Sequence, residues 1–117
     1  AASFLPGYDF FDGDTDPRPS DAVPSDPDNH GTAVAGIIAA AANGTGTVGG
    51  APNCRILPVR IGYGSAGFAT GDKIKAALVW AADRADVISC SWEYHVNTDV
   101  TAGFNYAATS GRKMPDG

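Results

Sequence analysis

From Ala33 to Ala42 the chain is small and apolar without a break. A helix built from it is hydrophobic all the way round, the pattern of a helix buried on every side. The helix begins at His30 and is closed by Asn43-Gly44, a pair suited to ending a helix, which predicts a helix over 30–43. Ahead of it, residues 1–29 are dense in Asp and Pro, and only Phe4, Leu5 and the cluster Tyr8, Phe10 and Phe11 suit burial. That segment reads as an acidic loop holding one short strand. Beyond the glycine-rich stretch 44–52, Arg55 to Ile61 is aliphatic and β-branched, a predicted strand in which Pro58 is out of place. Residues 72–84 set Ile74, Ala77, Leu78 and Ala81 on one helical face, with Thr70 placed to cap it. Residues 86–91 read as a second strand, so 55–91 forms a predicted βαβ unit with a right-handed crossover in a parallel sheet. A last helix is expected over 99–110, stopped by Gly111.

A length of 117 residues fits one domain, burying about two thirds of its unfolded surface. Its 44% hydrophobic and 18% charged residues, with 15 Gly and 8 Pro, describe a loop-rich globular chain. The net charge of -5 and the absence of any basic run argue against nucleic acid as a partner. No apolar stretch approaches the roughly 18 residues that cross a bilayer, so no membrane partner is expected. The first residues carry no secretory leader pattern. Cys54 and Cys90 make no disulfide framework, and with His30 and His95 they lack the close paired spacing of zinc sites. They read as small buried hydrophobes, and His95 as a surface residue.

Other motifs fail on context. Gly44-x-Gly46-x-x-Gly49 has the letters of a dinucleotide fingerprint, but it follows a helix and opens a strand, the reverse of what that site requires. Asp12-Gly13-Asp14-Thr15-Asp16 begins like an EF-hand loop, yet Pro17 takes the glycine position and Val23 the final glutamate position. Clustered carboxylates in another geometry can still suit calcium, with a solvated acidic loop as the plainer reading.

The chemistry centres on His30-Gly31-Thr32-Ala33-Val34-Ala35-Gly36. An imidazole at the start of a helix feels the positive end of the helix dipole, which favours the neutral ring able to accept a proton from a nucleophile. Taken with Asn43-Gly44-Thr45-Gly46, Gly49-Gly50-Ala51-Pro52 and the strand that follows, the run closely resembles the histidine region of the subtilisin-like serine proteases, the subtilases. The likeness extends from about Phe4 to Gly111. Segment 8–17 looks like the acidic stretch before the histidine in the kexin and furin branch and in many bacterial relatives. The fold this resemblance implies is α/β and subtilisin-like, a mostly parallel sheet with helices on both faces, incomplete here.

The resemblance implies a serine endopeptidase acting on peptide or protein substrates, with His30 as general base and then general acid. Gly64, Ser65, Ala66 and Gly67 would form one edge of the peptide groove, and Ser91, Trp92 and Glu93 the other. Ala33 stands where many members have a second histidine, and Glu93 where glycine is usual. The sequence contains neither the Asp-Thr-Gly nor the Gly-Thr-Ser signature that carries the other two triad members. The chain therefore reads as a fragment, inactive by itself, of a secreted or extracellular enzyme. The alternative is a non-catalytic truncated subtilase serving as a binding module.

Two further expectations come from the family. A structural calcium ion would be held by the Asn43 side chain with the carbonyls of Ala41, Thr45 and Thr47, and a second, favoured site is suggested by the furin-like spacing of Asp9, Asp14 and Asp16. Family topology also puts a strand absent from this sequence between 55–61 and 86–91. Those two either pair directly or leave unpaired edges that invite self-association.

Overall fold

The computed structural model describes residues 3–19 and 28–113. In chain order the elements are β1 (Ser3–Phe4), β2 (Tyr8–Asp9), α1 (His30–Ala39), β3 (Arg55–Ile56), β4 (Val59–Arg60), β5 (Gly62–Tyr63), a 3-10 turn (Gly64–Ala66), β6 (Gly67–Phe68), α2 (Gly71–Ala82) and α3 (Thr98–Thr109).

The expected strand 55–61 is broken in two at Leu57-Pro58, because proline offers no N–H to a ladder. β3 pairs in parallel with β1, and β4 in parallel with β2. Between the two pairs, Leu5, Pro6 and Gly7 face only Leu57 and Pro58. The extra residue is accommodated by Gly7, where an added Cβ would lie 2.2 Å from the Pro58 carbonyl oxygen. β5 and β6 form an antiparallel hairpin closed by Gly64 and Gly67 at φ 33° and 80°, a region that favours glycine.

The predicted βαβ unit does not close. Among the described residues, 86–91 joins no ladder, and the sheets are three separate two-stranded pairs instead of one parallel sheet. β3 and β4 each pair on one edge only, with β1 and β2, and among the described residues no strand lies on the other edge to link them to 86–91.

The core lies between α2 and α3. Ile74 is fully buried and packs with Leu78, Val100 and Ala69, while Ala77, Ala81 and Ala82 complete the buried face of α2. Gly103 lets α3 approach closely, since a Cβ there would meet Leu78 at 2.8 Å and the Lys75 Cα at 3.2 Å. α3 is capped by Asn97, whose Oδ1 accepts the N–H groups of Asp99 (2.9 Å) and Val100 (3.2 Å).

α1 departs from expectation in length and burial. It ends at Ala39, because Ala40 turns to φ -56°, ψ 131° and the backbone N–H groups of Gly49, Gly50 and Ala51 take the carbonyls of Ala40, Ile37 and Ile38. Only Ala39 is buried, and Ile37 is 77% exposed. An all-apolar helix needs cover on every side, and the described residues cover little more than its C-terminal end.

Candidate active site

His30 is the first residue of α1 and is exposed, as are Gly31, Thr32 and Ala33. Asn29 precedes it at φ -111°, ψ -2° and makes no side-chain cap, and the first turn carries no acidic residue. Among the described residues no hydrogen bond reaches the imidazole, so the structure supplies a candidate base without a nucleophile or orienting carboxylate beside it.

Two residues before the helix, at Asp28, begins a charge cluster absent from the sequence reading. Arg60, on β4, donates from Nε to the Asp28 carboxylate at 3.0 Å and from one terminal nitrogen to Asp9 and Asp12. Its side chain is 9% exposed, against 1% for Asp9, 19% for Asp28 and 57% for Asp12. The guanidinium carbon also stands 5.5 Å from the Phe11 ring centroid and 5.3 Å from that of Tyr63. Burial pushes the guanidinium's pKa down, and the bonds to Asp9, Asp12 and Asp28 outweigh it, leaving the group held above its ordinary value. The available signal was an arginine inside an aliphatic strand together with a nearby-looking surplus of aspartates.

The cluster bears directly on the expected metal ligands. Oδ1 of Asp9 accepts the N–H groups of Phe11 (2.7 Å) and Asp12 (2.9 Å), and Oδ2 takes Arg60. Asp14 accepts the N–H of Asp16 at 2.8 Å. Both carboxylate oxygens of Asp16 are engaged by Arg18 at 2.6 Å, and that fork hydrogen bond lowers the Asp16 pKa to about 2. These aspartates line an open cleft of about 490 Å³, but Arg18 and Arg60 line it too. On the other loop, Oδ1 of Asn43 accepts the N–H of Thr45 at 3.1 Å, and the Ala41 carbonyl accepts that of Asn43 at 3.0 Å. Ala41 is half-buried, while Asn43, Thr45 and Thr47 are exposed. Among the described residues no group of three or more His, Cys, Asp or Glu side chains is placed to hold a metal. As arranged, neither set fits a cation: two of the three carboxylates of the first, Asp9 and Asp16, are already paired with arginine, and the second has no carboxylate.

The segments carrying the two expected groove edges meet through a neighbouring residue, Phe68. Gly64, Ser65 and Ala66 form the 3-10 turn, with the Ser65 side chain outside the described set, and Gly67 opens β6. Phe68, next along, sits 6.1 Å from the Trp92 ring and 6.0 Å from Tyr94. Trp92 stacks on Phe104 of α3 at 6.0 Å, which ties segment 91–94 to the core. Ser91 and Glu93 are exposed on either side of it. Cys90 is half-buried beneath, and burial raises its thiol pKa.

Comparison with known proteins agrees across nearly the whole chain. The sequence model of the Subtilase family matches residues 3–112. A thermophilic serine proteinase from Bacillus sp. (strain AK1) is 44% identical over 92% of this chain and 25% of its own length. A halolysin-like extracellular serine protease from Natrialba magadii is 41% identical over 73% of this chain and 15% of its own. A calcium-dependent protease from Trichormus variabilis is 45% identical over 60% of this chain and 10% of its own. The chain thus spans a quarter or less of the length of these relatives. No solved structure matches.

Proposed function

The chain belongs to the subtilase family, and from that premise we propose that it supplies the general base, His30, of a serine endopeptidase. The observation carrying the proposal is an exposed histidine opening α1, within His30-Gly31-Thr32, inside a family match that runs from 3 to 112. In this reading His30 accepts the proton of a serine hydroxyl as it attacks a peptide carbonyl, then returns it to the leaving amine. The nucleophile and the carboxylate that orients the imidazole come from outside these 117 residues. Peptide substrate is taken as an added strand between Gly64–Gly67 and Ser91–Glu93, since the backbone of 91–93 is unpaired among the described residues. Glu93 would meet a basic substrate side chain there.

The nearer affinity is with the prokaryotic proteases reported above, whose halolysin-like member is named extracellular; an extracellular site of action follows by analogy. Calcium enters through the relative named calcium-dependent. On the acidic segment an ion would first have to displace Arg18 from Asp16, so no catalytic step is routed through it. The purified chain tests the division of labour. Treated with a fluorophosphonate, it should label at no serine and cleave no peptide, because a base without its nucleophile has nothing to activate. Stoichiometric labelling of Ser65, Ser89 or Ser91 with turnover would refute the assignment.

A further inference from the structure

The N-terminal end of α1 poses a mechanical problem. A general base has to be held in place, because a misplacement of about 1 Å can cost roughly 100-fold in rate. Yet the first four residues of α1 are exposed, Asn29 gives no side-chain cap, and no acidic residue occupies the first turn. The C-terminal end of α1 is fastened by three backbone hydrogen bonds from Gly49, Gly50 and Ala51. The opposite end, where His30 sits, has no comparable backbone fastening among the described residues.

Asp28 is two residues from His30, a chain reach of at most about 7 Å. Its carboxylate is 19% exposed and accepts the Arg60 Nε–H at 3.0 Å. Arg60 is itself immobilised. It stands on β4, whose partner is β2, and its guanidinium lies near the Phe11 and Tyr63 rings while also donating to Asp9 and Asp12. A planar guanidinium with its donors already committed in fixed directions makes a rigid peg. The ion pair joins residues 32 apart in sequence and so ties the start of α1 to the ribbon.

We infer that Asp28, pinned by Arg60, is the positioning residue for His30: the pair fixes the first turn of α1 and with it the backbone from which the imidazole projects, while the ring itself takes its direction from the carboxylate supplied outside this chain. The inference rests on reading His30 as the general base. It assigns Arg60 two separable tasks, since one terminal nitrogen serves Asp9 and Asp12 and Nε serves Asp28 alone. Arg60→Lys would keep a charge for Asp9 and lose the Nε donor.

The test needs no turnover, so it can fail while the protease reading stands. The chain has two histidines, which makes His95 an internal control. In isotopically labelled protein, the backbone three-bond couplings of His30 and the amide exchange of α1 are compared among wild type, Asp28→Ala, Asp28→Asn and Arg60→Lys. With Asp28→Ala, the His30 couplings should move from helical toward coil-averaged values and the Ala33 and Val34 amides should exchange about tenfold faster, with α2 amides and His95 unchanged. Asp28→Asn, which keeps an oxygen acceptor, should restore most of the wild-type signature. Arg60→Lys should reproduce Asp28→Ala at His30, and the double variant should add nothing further there. If Asp28→Ala does not fold, Arg60→Lys decides by the same readouts. Unchanged His30 couplings in a folded variant would overturn the inference, as would equal changes in α2 and His95. Loss of the protease reading would show elsewhere, as activity that survives without His30 when the other catalytic groups are supplied from outside this chain.

Discussion

Arg60→Leu is the perturbation that most directly probes what holds the described fold together. The Arg60 and Asp9 side chains are 9% and 1% exposed, so the substitution strands a buried carboxylate with no cation. Removing one partner of a buried pair costs about 3–5 kcal/mol. The lower end applies here, because Asp9 keeps its two backbone donors from Phe11 and Asp12, and leucine does not carry the guanidinium's desolvation penalty. The contacts with Asp12, 57% exposed, and with Asp28, 19% exposed, each add about 1 kcal/mol or less. A loss of about 3 kcal/mol shifts the folding equilibrium by roughly 100-fold. Urea unfolding at pH 7, followed by the fluorescence of Trp80 and Trp92, measures it. The double variant Asp9→Asn/Arg60→Leu should recover at least about half of the loss, because the stranded charge is gone. If Arg60→Leu costs less than about 1 kcal/mol, or the double variant is no more stable than the single, the buried-pair reasoning is wrong.

Ile74→Ala, at the one fully buried large apolar side chain of α2, should cost about 2–5 kcal/mol by the same unfolding assay, and a loss below about 1 kcal/mol would contradict the packing described. Burial raises the Cys90 thiol above its ordinary 9.0, and the bond donated to Asp83 raises the Tyr106 hydroxyl above 10.0. Both groups therefore stay neutral in the folded chain at a pH where the unfolded chain ionises, so the stability they give is complete below about 9 and fades as pH rises through the raised folded values. A melting temperature flat or rising between pH 9 and roughly 11 would refute this. Arg18→Ala frees both oxygens of Asp16 and should give the acidic segment calcium binding that calorimetry detects in the variant and not in the parent chain; identical isotherms would argue against Arg18 as the group that keeps an ion out.

Periodicity located the face that α2 buries, because Ile74, Ala77, Leu78 and Ala81 repeat at helical spacing and an amphipathic helix reports its own orientation. α1 could not be read that way. Its apolar residues point everywhere, so the sequence says that cover is needed without saying what provides it. Segment 86–91 has strand-like residues but a ladder is a property of two segments, and composition in one does not supply the other. The histidine motif was legible because its residues are contiguous. The cluster around Arg60 was not, since it gathers Asp9, Asp12 and Asp28 onto an arginine more than 30 positions away. Aspartates read alone look like cation ligands, and only the fold shows that arginines of the chain itself occupy two of the three expected ones, Asp9 and Asp16.

The central claim, that His30 works as the base of a subtilase active site completed from outside this chain, is tested by transplantation. Residues 3–112 replace the matching quarter of the Bacillus thermophilic serine proteinase, so that the host supplies the remaining catalytic groups. The chimera should hydrolyse a peptide substrate, and His30→Ala in it should lower kcat by several orders of magnitude with little change in folding. A folded chimera whose activity is the same with and without His30 would contradict it.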